Sequence, residues 1–95
     1  MKQIWKFPLT ITDEQVLQMP FDAELLSIGL QNIGLQNRQL CLWAAIEDSN
    51  DLEGRTIKIV GTGHPFSDRD YNYMAFIGTV VAAPFVWHVF EKVKR

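Results

Sequence analysis

The densest run of residues able to do chemistry is Gly61-Thr62-Gly63-His64-Pro65, followed closely by Asp68, Arg69 and Asp70. Two glycines flanking a hydroxyl let backbone N–H groups come close to a ligand, and successive N–H groups in such a turn favour anions. His64 adds a donor whose charge changes near neutral pH. Thr62, Gly63, His64, Asp68 and Arg69 therefore form a candidate binding site for a small anionic ligand, such as a nucleotide or a phosphorylated metabolite. The run lacks the lysine of a phosphate-binding loop and the longer glycine pattern of a dinucleotide fold. It also has a purely structural reading, because Gly-Thr-Gly before His-Pro is how a strand leaves a sheet through a tight turn. An acid–base cluster of His64 with Asp68 to Asp70 would need a nucleophile or base held by a second group, and proximity in a loop supplies no such geometry. No residue is assigned as catalytic, and the expectation is a protein that is not an enzyme.

Other reactive side chains are sparse. His64 and His88, 24 positions apart, and a single cysteine match no zinc spacing, so no metal and no other cofactor is expected. Cys41 stands between Leu40 and Leu42, the setting of a buried, inert thiol. His88 shares a strand face with Val86 and Phe90, which suits a core or interface histidine with a satisfied hydrogen bond. Trp5, Trp43 and Trp87 could stack bases, but no Lys or Arg is interleaved with the latter two, and the formal net charge is −2. A nucleic-acid partner is not expected. Nor is a membrane one: no stretch approaches the roughly 20 apolar residues of a span, and the start lacks a signal-peptide core. The cytosol is the expected compartment.

The elements that must position these residues are mostly strands. The 95 residues suit a single domain, 1–95, and 47% of them are apolar, an ordinary globular composition. Ile4–Leu9 puts Trp5, Phe7 and Leu9 on one face, and Pro8, with no N–H to donate, means that this strand lies at an edge or ends there. Glu24–Leu30 alternates with Leu26, Ile28 and Leu30 on one face. Gln39–Glu47 is apolar on both faces and reads as a central strand. Arg55–Val60, Phe76–Val81 and Phe85–Phe90 complete the set, the last again apolar on both sides. Residues 12–19 admit two readings, a short helix opened by a Thr12–Gln15 capping box or a short strand, and the strand is preferred. The predicted fold is all-β, a small antiparallel sandwich or barrel of six to seven strands with one short helix near 12–19 as the variant. Two strands apolar on both faces exceed what one small core needs, so an exposed apolar face and a partner are expected unless a helix at 12–19 covers it.

Residues 28–32, Ile-Gly-Leu-Gln-Asn, are repeated at once as residues 33–37. Five is odd, so a second copy inside a strand would turn every later side chain to the opposite face. Pairing Leu35 with Leu40 would carry Gln31 and Gly29 onto the apolar face and lose the burial of Leu26, on the order of 1.5–3 kcal/mol. Leaving the second copy as a longer hairpin loop costs about 1 kcal/mol or less in closure entropy. The loop is the expected arrangement, with Ile33 and Leu35 exposed at its tip.

The ordered motifs Trp5-Lys6-Phe7-Pro8-Leu9, Asp13-Glu14-Gln15, Met19-Pro20, Ala23-Glu24-Leu25-Leu26-Ser27, Cys41-Leu42-Trp43-Ala44, Gly61-Thr62-Gly63-His64-Pro65, Ile77-Gly78-Thr79 and Val86-Trp87-His88-Val89-Phe90-Glu91 run along nearly the whole chain. In them the chain resembles a family of small proteins encoded mainly by tailed bacteriophages and prophages. That family carries no assigned activity, so the resemblance transfers no catalytic residue. Family-like chains join the Leu-Ser and Cys-Leu-Trp strands through a short Gln-Asn-Gly type turn, where this chain has its extra Ile-Gly-Leu-Gln-Asn. The resemblance implies a phage accessory protein in the host cytoplasm. The expected mode of action is protein–protein interaction, as a homodimer or with a host or phage protein, a host defence component among them. The alternatives are the anionic-ligand binder and a minor virion or assembly component. Ile33, Leu35, Trp43, Trp87, His88 and Phe90 are the expected interface residues.

Overall fold

Residues apolar on both faces need cover on both sides, and the chain places such a run at the centre of a sheet. A computed structural model describes residues 1–34 and 37–93. Strand β4 (Arg38–Glu47) lies between β1 (Lys2–Leu9) and β3 (Glu24–Asn32), all antiparallel. A second antiparallel sheet has the order β2-β5-β7-β6, with β2 at Glu14–Pro20, β5 at Leu52–Gly61, β6 at Met74–Ala82 and β7 at Phe85–Lys92. The two sheets are separate, and the seven strands form a sandwich rather than a closed barrel.

The core follows the alternation. Leu9, Leu40, Leu42, Ala44 and Ile46 of the first sheet meet Met19, Ile57, Ile59, Val80 and Val89 of the second in one buried cluster. Trp5 and Phe7 pack against it from β1, and β1 is an edge strand, as Pro8 requires. At one end of the sandwich the Arg55 guanidinium grips Glu91 through two N–H groups and donates to the Ala23 carbonyl at 2.9 Å. This pair bridges β5 and β7 and ties both to the start of β3.

The segment with two readings is a strand. Leu17 and Met19 of β2 point to the core while Val16 and Gln18 point to solvent, a period of two. Thr12 does not cap a helix; its hydroxyl donates to the Glu14 carbonyl at 3.1 Å, within a turn. The one helix among the described residues, α1 (Asp68–Asn72), lies instead in the segment read as loop, with the Ser67 hydroxyl accepting from the Asp70 N–H at 3.0 Å.

Two local departures from alternation matter. β3 bulges between Leu25 and Ser27, so Leu25 joins Ile28 and Leu30 on the core side and Leu26 is turned out to solvent. That reverses the facing expected of Leu25 and Leu26; an added residue in one strand shifts the phase by one. β6 bulges between Phe76 and Gly78. These are the two edge strands that run alongside each other where the sheets meet, and a Cβ on Gly78 would come within 2.5 Å of Ile28 Cγ2. Bulges on both strands bend their backbones out of line, which keeps the sheets from merging along that side.

The β3–β4 register runs Leu30↔Leu40, Gln31↔Gln39 and Asn32↔Arg38, so the first copy of the repeat is strand. Of the second copy, residues 33, 34 and 37 lie outside the strands, and residues 35 and 36 lie outside the described residues. Ile33 donates its N–H to the Asn37 carbonyl at 3.0 Å and is 58% exposed.

Candidate functional site

Strand direction gathers four connections at one end of the sandwich. Leu9 lies opposite Leu40, Asn32 opposite Arg38, Gly61 opposite Trp87 and Ala82 opposite Phe85. The β1–β2 connection, the β3–β4 loop, the turn after β5 and the β6–β7 hairpin therefore share this end. It carries a band of exposed apolar side chains, Ile11, Ile33 and Phe85. Exposure of several large apolar groups together costs hydration free energy that a partner recovers.

Two hollows open here, and Trp87 lines both. The larger, about 400 Å³, lies between the sheets on an apolar floor of Leu9, Leu30, Leu40 and Ala82, with Asn37, Arg38 and Gln39 at its rim. The smaller, about 150 Å³, is lined by Gly61, Thr62, His64, Pro84, Phe85 and Val86. The Phe85 ring stacks on Trp87 with centroids 5.4 Å apart and planes 24° from parallel, and His64 approaches Trp87 edge-on at 6.4 Å. The Trp87 indole N–H has no partner among the described residues. Arg38 forms no ion pair among them either.

The glycine turn is built less for anions than its composition implies. The Thr62 N–H is given to the Val86 carbonyl at 3.2 Å and the His64 N–H to the Gly61 carbonyl at 3.0 Å. Only the Gly63 N–H remains for a ligand. Gly63 has φ +84°, a left-handed value that L side chains rarely adopt, so its glycine serves the turn. A Cβ on Gly61 would lie 2.7 Å from the His64 ring and 3.2 Å from Trp87, so the second glycine serves ring packing. Thr62 uses its hydroxyl on His88 Nε2 at 2.7 Å, while the Thr79 hydroxyl lies 2.9 Å from Nδ1. His88 thus ties the turn to β6, both nitrogens engaged. Asp68 and Arg69 sit exposed on α1, and no hydrogen bond or ion pair joins either to His64 among the described residues.

The expected interface residues do not share one face. Trp43 lies half-buried on the outer face of the three-stranded sheet, its ring 3.5 Å from where a Gly29 Cβ would be. Trp87 is on the core side of β7, and His88 and Phe90 are on the outer face of the four-stranded sheet. Leu35 lies outside the described residues. Phe90 is covered from within the chain: Phe66 packs against it at 5.2 Å, Phe76 at 5.3 Å, and Tyr71 flanks Phe66 at 5.8 Å. Phe66 also lies over Lys58, 5.9 Å from Nζ to ring centroid; Lys58 is 7% exposed and donates to Asp13 at 3.0 Å. The second apolar face of β7 thus has a lid from residues 66–71, where the expectation is a partner unless a helix at 12–19 covers it. Ile11, Arg38 and Phe85 were missed as site residues, because only the strand pairing brings them together.

Cys41 is fully buried on the outward side of β4, and burial pushes its thiol up from the usual value, against the opposing influence of Lys6. Among the described residues no group of three or more His, Cys, Asp or Glu is placed to hold a metal ion.

The architecture defines an open two-sheet antiparallel sandwich with its connections massed at one end. The chain belongs to the DUF7352 family, a domain of unknown function, whose family model matches residues 1–95. Neither the curated proteins nor the solved structures compared with it show a significant match.

Proposed function

We propose that this protein is a binding module, without catalysis of its own, that engages another protein through the loop end of the sandwich. The observation that carries the reading is the exposed Phe85 stacked on Trp87, beside the hollow between the sheets. Aromatic side chains fixed by their neighbours lose little entropy on binding and dominate interface energies. The anionic-ligand alternative has less support, since two of the three N–H groups of its turn are already engaged. The resemblance to phage and prophage proteins supplies a setting: an accessory protein in the infected host's cytoplasm, a host defence component being one target.

Of the two expected occupants, a second copy and a foreign protein, we favour the foreign protein, because the exposed aromatic pair lies at the loop end, away from the open outer face of β1, β4 and β3 around Ile4 and Leu26. The test is photocrosslinking in infected host cells with a benzophenone side chain at position 85 and, as control, at position 16 on the outer face of β2. A discrete adduct from position 85, lost on Trp87→Ser and absent from position 16, is the expected result. Adducts from position 16 alone would place the interface elsewhere.

A further inference from the structure

The connection from β5 to β6 is fastened at its two ends and held by little between them. At its start the Thr62 N–H is given to the Val86 carbonyl at 3.2 Å, and at its end the Tyr73 carbonyl accepts from the Val93 N–H at 2.8 Å. Between residues 65 and 72, no backbone hydrogen bond reaches either sheet among the described residues. No residue of α1 is buried, and Asp68 and Arg69 form no ion pair among the described residues. A helix of five residues is far shorter than the roughly 12 needed to stand alone in water, so α1 keeps its shape only while it is held to the sandwich. The ring contacts that hold it run through Phe66, which packs on Phe90 at 5.2 Å and lies over Lys58, 5.9 Å from Nζ to ring centroid.

What Phe66 covers is not wholly apolar. Lys58 sits opposite Phe90 on the outer face of β5, where a lysine is ordinarily hydrated, yet it is 7% exposed. Its ammonium donates to Asp13 at 3.0 Å and has the Phe66 ring as its other neighbour. Keeping an ammonium from water costs free energy, so closure gains ring burial and loses hydration of the charge. Opening reverses both terms, and they offset one another. A segment pinned by one ring over a charge therefore opens more readily than one seated on an apolar core. We propose that residues 65–72 are a strap that lifts off β5 and β7 while the sandwich stays folded, uncovering Lys58 and Phe90 together. Gly63, with its left-handed φ of +84°, stands at one hinge, and the bond from Val93 to the Tyr73 carbonyl marks the other. The strap is independent of the loop-end reading above and does not require it.

The experiment measures how fast N-hydroxysuccinimide acetate acetylates each lysine of the full, folded chain, read by mass spectrometry of its peptides. Lys2 is exposed and serves as the reference. In wild type, Lys58 should react about ten- to a hundredfold more slowly than Lys2, the range that burial of one aromatic ring implies. Its rate should stay flat in urea below the unfolding transition, because a local opening exposes little surface. Phe66→Ala should speed Lys58 by about tenfold or more and leave Lys2 unchanged, with the circular dichroism of the sheets retained. Phe66→Leu keeps an apolar side chain without the ring; it should give a smaller rise in the same direction, and it carries the test if the alanine variant does not fold. A Lys58 rate that climbs with urea in step with global unfolding would mean that the strap leaves only with the sandwich, and would overturn the proposal. So would a wild-type Lys58 rate equal to that of Lys2, or one that neither substitution at 66 changes.

Discussion

Gly78 shows how much one hydrogen atom matters where two sheet edges meet. Ile28 Cγ2 occupies the place of its missing side chain, at 2.5 Å from the ideal Cβ position. The overlap involves a branch on Ile28 Cβ, so relief needs a rotamer change in a packed core or a backbone shift. Gly78→Ala is expected to destabilise by about 1–3 kcal/mol, the usual cost of overpacking. In an Ile28→Ala background the same change should cost much less, because the obstructing methyl is gone. Urea denaturation of the four proteins of this cycle measures the coupling, and additive effects would show that the contact is not what fixes the glycine. The motif Ile77-Gly78-Thr79 is visible in the sequence, but the partner of its glycine lies 50 positions away on another sheet, which periodicity does not reveal.

Among the elements, the hairpin of β3 and β4 carries the clearest prediction. With residues 33–37 removed, Gln31 and Gln39 can still pair and Asn32-Arg38 becomes a two-residue turn, while Leu30 keeps its place opposite Leu40. Asparagine suits the first position of such a turn; arginine suits the second poorly. Deletion of 33–37 is therefore expected to leave the fold intact with stability at least equal to that of the full chain, and adding Arg38→Gly should improve on it. A deletion variant that fails to fold, by circular dichroism and urea titration, would mean that the second copy is needed by the sheet. The loop was legible because burial energies separated the two registers by more than loop entropy could offset. The bulge in β3 was not: Leu25 and Leu26 are identical in type, so composition gives no reason to prefer either one inside. Strand β2 was legible only as a preference, since Thr12 and Gln15 satisfy a helix-cap pattern as well as a turn. Gln15 instead uses its side chain on the Thr10 backbone, accepting at 3.1 Å and donating at 2.7 Å.

For the whole molecule, the excess of apolar strand faces led to an expectation of partner burial, and the structure divides that excess. One part is covered by Phe66 and Tyr71 from the chain's own β5–β6 connection, which the sequence showed only as a turn-rich stretch. Another lies at the loop end, and a third on the three-stranded sheet. On the foreign-partner reading, light scattering after size exclusion should give the 10.9 kDa monomer at about 10 μM, with self-association only at far higher concentration. A dimer at low micromolar concentration that Trp43→Ser dissociates would reverse the choice between a second copy and a foreign partner. The sandwich class followed from strand count and turn spacing. The grouping of Arg38, Phe85 and Trp87 did not, because it depends on which strands become neighbours, and β7 pairs with β5 across a connection of 23 residues.

Because the repeat begins inside a strand and ends in a loop, it works as a spacer of variable length. Each added copy of the five residues would leave Leu40 facing Leu30 and simply push the tip of the loop outward, by up to about 8 Å for five residues running out and back. Copy number at this point therefore sets the length of the β3–β4 connection while the sheet beneath it is unchanged. A library varying only in that number would lengthen this connection one step at a time, with no core residue replaced.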